Sequence, residues 1–206
     1  MNKKQDSAQQ RILKSAVKEF AKHGFWGARS SRIAKGAGIN KAMIFYYFSS
    51  KENLYRVIIE DTMKAVLEDV RKFIMKTDSP DKLFEALPEV YIRFFSKNQL
   101  LAKIIIHDLV QNPDHISAII AKMFKQASFK PQIIFKEMVR DWYEKGIISE
   151  SDPVHVILNI MPPSLFCFIG LPMVEAVLDR KIDINDKFIE DRIKSVVNLI
   201  KRGMLK

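Results

Sequence analysis

Residues 28–52 read ARSSRIAKGAGINKAMIFYYFSSKE, and the order of residue types in this stretch decides the fold. A short segment carrying Ile33 and Ala34 runs into Gly38, a residue that adopts a left-handed turn without steric cost. Asn40 follows as a favoured N-cap, and the next segment, about Lys41 to Tyr47, is only two helical turns long. Such a helix is not stable alone, so neighbouring helices must brace it. Ser49-Ser50-Lys51-Glu52 then reads as a capping box with Ser49 and Glu52 as the reciprocal pair, opening another helix. Two short helices about a glycine turn are the grammar of a helix-turn-helix.

The charge distribution names a partner for that motif. Residues 1–56 hold 12 Lys and Arg against 3 Asp and Glu, whereas residues 57–206 hold 22 against 21. Nearly all of the net charge of +10 therefore lies on the quarter of the chain that carries the turn. Duplex DNA presents a phosphate charge every ~1.7 Å of axis, which suits a concentrated basic surface.

Outside the motif the chain reads as helix throughout. In the first helix Ile12, Leu13, Ala16, Val17, Phe20 and Ala21 recur at i, i+1, i+4, i+5 spacing, and Lys14, Lys18 and Lys22 fall on the opposite, solvated side. Asp6 or Ser7 caps its start and Gly24 suits its end; Ser30 or Ser31 caps the second helix. The fourth helix is expected to run to about Met75 and to act as a connector, with a break at Thr77–Asp81. The next helix carries Leu83, Phe84, Leu87, Val90, Tyr91, Phe94 and Phe95, with Pro88 expected to kink the pattern, and further helices follow near 99–111, 114–128, 131–145, 153–179 (interrupted by prolines) and 186–203. Seven glycines in 206 residues and no useful strand alternation argue against a sheet.

Composition narrows the function classes. One cysteine, Cys167, excludes an internal disulfide and a multi-thiolate metal site, and the N-terminus has no apolar secretory core. Residues 155–178 approach the length of a bilayer span, but Asn159, Pro162, Pro163 and Pro172 interrupt them, which favours a buried helix pair over a membrane segment. The four histidines are scattered without metal-ligand spacing, and no phosphate-cradling or nucleophile-elbow motif is present, so neither an enzyme nor a cofactor is expected.

IAKGAGINKAMIFYYFSSKENL, residues 33–54, resembles the N-terminal signature of the TetR family of transcriptional regulators. Four pieces coincide at fixed spacing: Ile33-Ala34, Ala37-Gly38-Ile39, the aromatic run Phe45-Tyr46-Tyr47-Phe48, and Ser50-Lys51-Glu52-Asn53-Leu54. The resemblance implies an all-α chain of about nine or ten helices. Residues 1–50 would form the three-helix helix-turn-helix DNA-binding domain and residues 51–206 a larger helical ligand-binding and dimerisation domain, with helix 51–75 as connector. It implies DNA contacts from Ser30, Ser31, Arg32, Asn40, Lys41, Ala42, Met43, Tyr46, Tyr47 and Lys51. Lys41 suits a guanine edge, Ala42 and Met43 a thymine methyl, and the serine, tyrosine and Lys51 donors suit phosphates. Phe45 departs from the family, which carries a phosphate-binding tyrosine there; either Phe45 packs, or Tyr46 takes over the contact.

For the rest of the chain the resemblance implies a homodimer on a palindromic double-stranded operator in the cytoplasm, released by a small-molecule effector. The dimer is expected through Ile189, Ile193, Val196, Val197 and Ile200 on the last helix, with the apolar run 153–178 completing a four-helix interface. Candidates to line an effector cavity are Tyr91, Phe95, His107, Trp142, Phe166 and Cys167, with Phe94 and His115 beside them; 14 Phe and 9 Met favour an apolar or aromatic ligand. A constitutive DNA-binding protein or an activator would carry the same N-terminal signature.

Overall fold

A computed structural model describes residues 7–74, 79–111, 113–126 and 130–206. Eleven helices occupy them: α1 Ala8–Gly27, α2 Ser30–Ala37, α3 Lys41–Phe48, α4 Lys51–Ile74, α5 Pro80–Lys97, α6 Gln99–Gln111, α7 Pro113–Gln126, α8 Pro131–Glu144, α9 Pro153–Leu165, α10 Cys167–Leu178 and α11 Asp186–Met204. Among the described residues no strand forms, and one antiparallel bridge joins Ile148 to Leu205. The expected end of the fourth helix at Met75 and most of the break before α5 lie outside the described residues.

The chain gathers into two compact units: residues up to Met63 with Leu100–Met123, and Lys64–Gln99 with Phe124–Lys206. The first unit is built on α1, α2 and α3. Ile12, Ala16 and Phe20 of α1, Ile33, Ala34 and Ala37 of α2 and Ile44 and Phe48 of α3 are all buried, with α2 packed on both α1 and α3. These are the apolar positions that the 3.6-residue period selects. Leu54, Tyr55, Ile58 and Ile59 of α4 close this core.

The end of α1 and the start of α4 depart from the expected caps. Ser7 caps α1 in a reciprocal pair with Gln10. Gly24, however, does not end α1: it stands at φ 63°, ψ 179° inside it, and helical bonding resumes to Gly27. Ser49 does not open α4. It closes α3 at φ 63°, and the hydroxyl of Ser50 accepts the amide of Asn53 instead. The expected Ser49–Glu52 pair is thus displaced by one residue. The Ser49 amide returns to the Phe45 carbonyl, and the Phe48 carbonyl accepts from the Ser50 amide and the Asn53 side chain.

In the second unit α5 packs on α9 and α11, and α9 also meets α8, α10 and α11. Pro88 is accommodated within an unbroken α5, where it is buried. Arg93 of α5 makes a two-pronged ion pair with Glu190 of α11 and also holds Glu89, and Lys201 of α11 reaches Asp81 and Glu85. Ile189, Ile193, Val196 and Ile200 are buried by these neighbours, and Val197 is half-buried. The α11 stripe expected at a dimer interface is therefore core of its own chain, because α5 and α9 cover it. Exposed apolar residues of the second unit include Val154, Ile157 and Leu158 of α9, Met173, Val177 and Leu178 of α10, and Leu199 of α11. The apolar run 153–178 breaks after Leu165, and the two halves bend by 62°. Among the described residues no single helix is long and apolar enough to cross a membrane.

Candidate nucleic-acid interface

Gly38 at φ 64°, ψ 42° makes the turn between α2 and α3, and its amide and that of Ile39 return to Ala34 and Lys35 carbonyls. This is a Schellman-type stop, and it requires the left-handed conformation that glycine adopts freely. Asn40 then caps α3 by accepting the amide of Ala42. With Ile44 and Phe48 anchored below, α3 turns its other side outward. Asn40, Lys41, Ala42, Phe45, Tyr46 and Tyr47 are exposed, and Met43 is half-buried. Tyr46 is 78% exposed, and its ring meets Tyr47 edge to face at 5.1 Å. The Lys41 ammonium lies 5.7 Å from the centre of the Phe45 ring. Phe45 is therefore a surface platform beside a cation rather than core.

The N-terminus of α2 is built differently from the expectation. Arg29 occupies the cap position and no side chain caps within the helix, so neither Ser30 nor Ser31 does so. A residue from α1 takes that role. Glu19 accepts the Arg29 amide at 3.0 Å and the Arg32 Nε at 2.6 Å. Arg32 also donates to the Gly27 carbonyl at 2.8 Å. Its guanidinium thus fastens α2 to α1, while Ser31 remains exposed and Ser30 half-buried. Burial pushes the Glu19 carboxyl up, but the Arg29 amide and the Arg32 guanidinium outweigh it and hold the group below the usual carboxylate value of 4.5. A depressed carboxylate stabilises the fold above its unfolded pKa and loses that contribution as pH falls through its folded pKa. Glu19→Gln is accordingly expected to cost about 1–2 kcal/mol near neutral pH. The gap from the parent chain should close below pH ~4.5, as urea midpoints at a series of pH values would reveal.

Lys51 is also engaged internally. Its ammonium donates to the Phe25 carbonyl at 2.8 Å and the Ala28 carbonyl at 3.1 Å, and lies 4.5 Å from the centre of the Phe25 ring. Two of its three N–H groups are consumed in tying the end of α1 to the start of α4. Behind it lies a cluster that periodicity did not reveal. Phe25 contacts Phe20, Tyr55 and His115, and Tyr55 stacks on His115 at 5.3 Å. Asp108 of α6, 3% exposed, accepts from the Tyr55 phenol and lies 3.2 Å from His115 Nδ1. Burial, then the Asp108 charge, push the Tyr55 phenol far up.

The expected effector-lining residues are divided between the two units. His107 belongs to the first unit, where its ring covers Gly24. Trp142 meets Phe84 edge to face, Phe95 meets Phe94, and the Phe166 ring covers Gly170. The Cys167 thiol points to the Ser164 carbonyl, and burial raises its pKa against the Arg192 charge. Burial pushes the Tyr91 phenol up to about 12.

Residues 12–58 match the model of the bacterial regulatory proteins of the tetR family. Along most of its length the chain is 24% identical to the HTH-type transcriptional repressor SCO4008 of Streptomyces coelicolor, covering 95% of each chain. Its fold is that of the TetR family transcriptional regulator PfmR from Thermus thermophilus, with TM-score 0.71, 19% identity and coverage of 98% of this chain and 100% of that one. It is also that of the transcriptional regulator FadR from Bacillus subtilis, solved with stearoyl-CoA, with TM-score 0.67, 20% identity and coverage of 94% and 97%. The matched residues span the turn, its core and α3, and residues 12–58 form a helix-turn-helix DNA-binding domain of the tetR family of bacterial regulatory proteins.

Proposed function

We propose that the chain is a homodimeric repressor that occupies a palindromic operator in the cytoplasm and is released by a small apolar or aromatic effector. The observation that carries the DNA-reading half is the outer side of α3. It is a two-turn helix fixed by the Gly38 turn, the Asn40 cap and two buried anchors, with Lys41, Ala42, Tyr46 and Tyr47 left exposed. In this reading Lys41, Ala42 and Met43 meet base edges, and Asn40, Tyr46, Tyr47, Ser30 and Ser31 meet phosphates. Arg32 and Lys51 act chiefly by holding α2 and the first turn of α4 in place, since their donors are occupied.

A helix this short reads few bases, so two copies spaced by one turn of duplex, ~34–36 Å or a multiple, would supply useful affinity. The exposed apolar residues of α9 and α10 with Leu199 are the surface we assign to pairing, because a lone chain rarely leaves such a patch in water. The apolar effector draws support from 14 Phe and 9 Met and from the stearoyl-CoA held by the FadR neighbour. Selection of bound DNA from a random pool is expected to return an inverted repeat whose half-sites lie about one helical turn apart. Addition of long-chain acyl compounds should raise the melting temperature and release that DNA. A pool that shows no enrichment over random competitor would refute the DNA-reading assignment, and an unshifted melting temperature across apolar compounds would refute the effector class.

A further inference from the structure

The lysines on the outer side of α1 take no part in the interface described so far, yet they line a built feature. Arg11, Lys14, Ser15, Lys18, Glu19 and Lys22 of α1, with Arg32 and Gly36 of α2, enclose an open groove of about 460 Å³. Five of these eight residues are cationic, and the single carboxylate, Glu19, is already matched to Arg32. Lys14, Lys18 and Lys22 are exposed, and Lys18 and Lys22 have no ion-pair partner among the described residues. The groove floor depends on Gly36, where a Cβ would stand 2.4 Å from Ser15 Oγ, while that hydroxyl donates to the Ile33 carbonyl and fixes α1 against α2.

Lys18 and Lys22, four residues apart on one helix, repel one another mildly in the free protein, and a polyanion lying against them relieves that repulsion. At ~1.5 Å per residue Lys14 to Lys22 cover about 12 Å, and a duplex strand offers a phosphate every ~3.4 Å of its axis. The row is therefore matched to a strand of phosphates rather than to one small anion. Its position relates it to the operator, because α2 contributes Arg32 and Gly36 to the groove and Ser30 and Ser31 to the proposed phosphate contacts.

We propose that the Lys14–Lys18–Lys22 ridge binds the sugar-phosphate backbone of the operator duplex outside the bases that α3 reads. This inference rests on the DNA-reading assignment above and extends it. The site thus carries a sequence-independent clamp for flanking DNA, which adds affinity and salt dependence without changing which palindrome is chosen.

The test compares the parent chain with K14Q/K18Q/K22Q on two duplexes. One is the selected palindrome alone; the other carries about one further helical turn, ~10 base pairs, on each side. A control variant, K122Q/K136Q/K187Q, removes the same charge from exposed lysines elsewhere. The parent chain is expected to bind the longer duplex about tenfold more tightly at physiological salt, with log K against log salt steeper by about 2–3, near 0.9 for each phosphate engaged. The ridge variant should lose that increment and bind the short duplex as the parent does, which also shows that it is folded. The control variant should keep the increment. Equal binding of both duplexes by the parent chain overturns the proposal, as does an increment that survives in the ridge variant. Equal losses on both duplexes, or the same loss in the control, also overturn it. Inorganic polyphosphate bound through the ridge without a flank effect would assign the groove to a small polyanion instead. Absence of any sequence preference in the parent chain defeats the DNA-reading assignment itself and is distinguishable from all of these.

Discussion

Replacing Leu158 and Val177 together by glutamate is expected to leave the chain folded but monomeric, and to reduce its affinity for a palindromic operator by about 10³-fold or more. Val177 is 79% exposed and Leu158 half-exposed, so neither change opens a cavity or buries a charge within one chain. The effect arises only if a second copy covers them. In a two-fold interface each substitution appears twice, and four carboxylates would enter a surface that excludes water. An unpaired buried charge costs several kcal/mol, well beyond what such a patch offsets. With pairing lost, each short α3 must bind its half-site alone. The second half-site then no longer benefits from an effective concentration in the millimolar range. Sedimentation velocity with operator titration reads both outcomes. The contrasting change, Val196→Glu, places a charge on a fully buried α11 position and should unfold the second unit before association is measurable. A Leu158→Glu/Val177→Glu chain that sediments as a dimer and binds its operator normally would show that this surface does not pair the subunits.

The contrast between Val177 and Val196 also explains which parts of the molecule the sequence discloses. An amphipathic stripe states that a helix buries one side, not what covers it. The α11 stripe is covered by α5 and α9 of its own chain. The apolar character of 153–178 is spread around both helices, so no period separates the core positions Val156 and Ile160 from the exposed Ile157 and Leu158. Local chemistry was more legible. Gly38 acts through its own backbone and Asn40 through its side chain on an amide two residues on, and both stand where the sequence places them. Ser49 and Ser50 are each competent to cap, and it is the positive φ of Ser49 that leaves the role to Ser50.

Long-range partners were invisible to spacing. Arg32 and Lys51 sit in positions that point to phosphate, but Glu19, Phe25 and Ala28 draw their charges inward across 13 to 26 residues of chain. The Tyr55–Asp108–His115 cluster joins residues 53 and 7 positions apart. The sequence places His107 and Asp108 side by side, and adjacent helical residues diverge by about 100°. The partners of Asp108 are found instead on α4 and α7.

Gly24→Ala is expected to destabilise the first unit by about 2–6 kcal/mol, the sum of two separable effects. Gly24 stands at φ 63°, ψ 179°, a region that residues with a Cβ scarcely enter, and this strain accounts for about 1–3 kcal/mol. The remainder is steric. A Cβ at this position would lie 2.1 Å from His107 Cε1 and 2.6 Å from Nδ1, so α6 must withdraw its ring. Overpacking of this kind costs typically about 1–3 kcal/mol. The turn at Gly24 also directs Phe25 onto Phe20, Tyr55 and His115, and presents the Phe25 and Ala28 carbonyls to Lys51. Displacing it therefore loosens the first turn of α4 and the support of the helix-turn-helix, and operator affinity should fall with stability. A double-mutant cycle separates the causes. His107→Ala removes the ring, so Gly24→Ala made in that background should cost only the backbone strain, and chemical denaturation should recover about half of the loss. If the cost of Gly24→Ala were the same with and without the imidazole, the φ angle alone would be responsible, and the packing of His107 over Gly24 would contribute nothing to the stability of the unit.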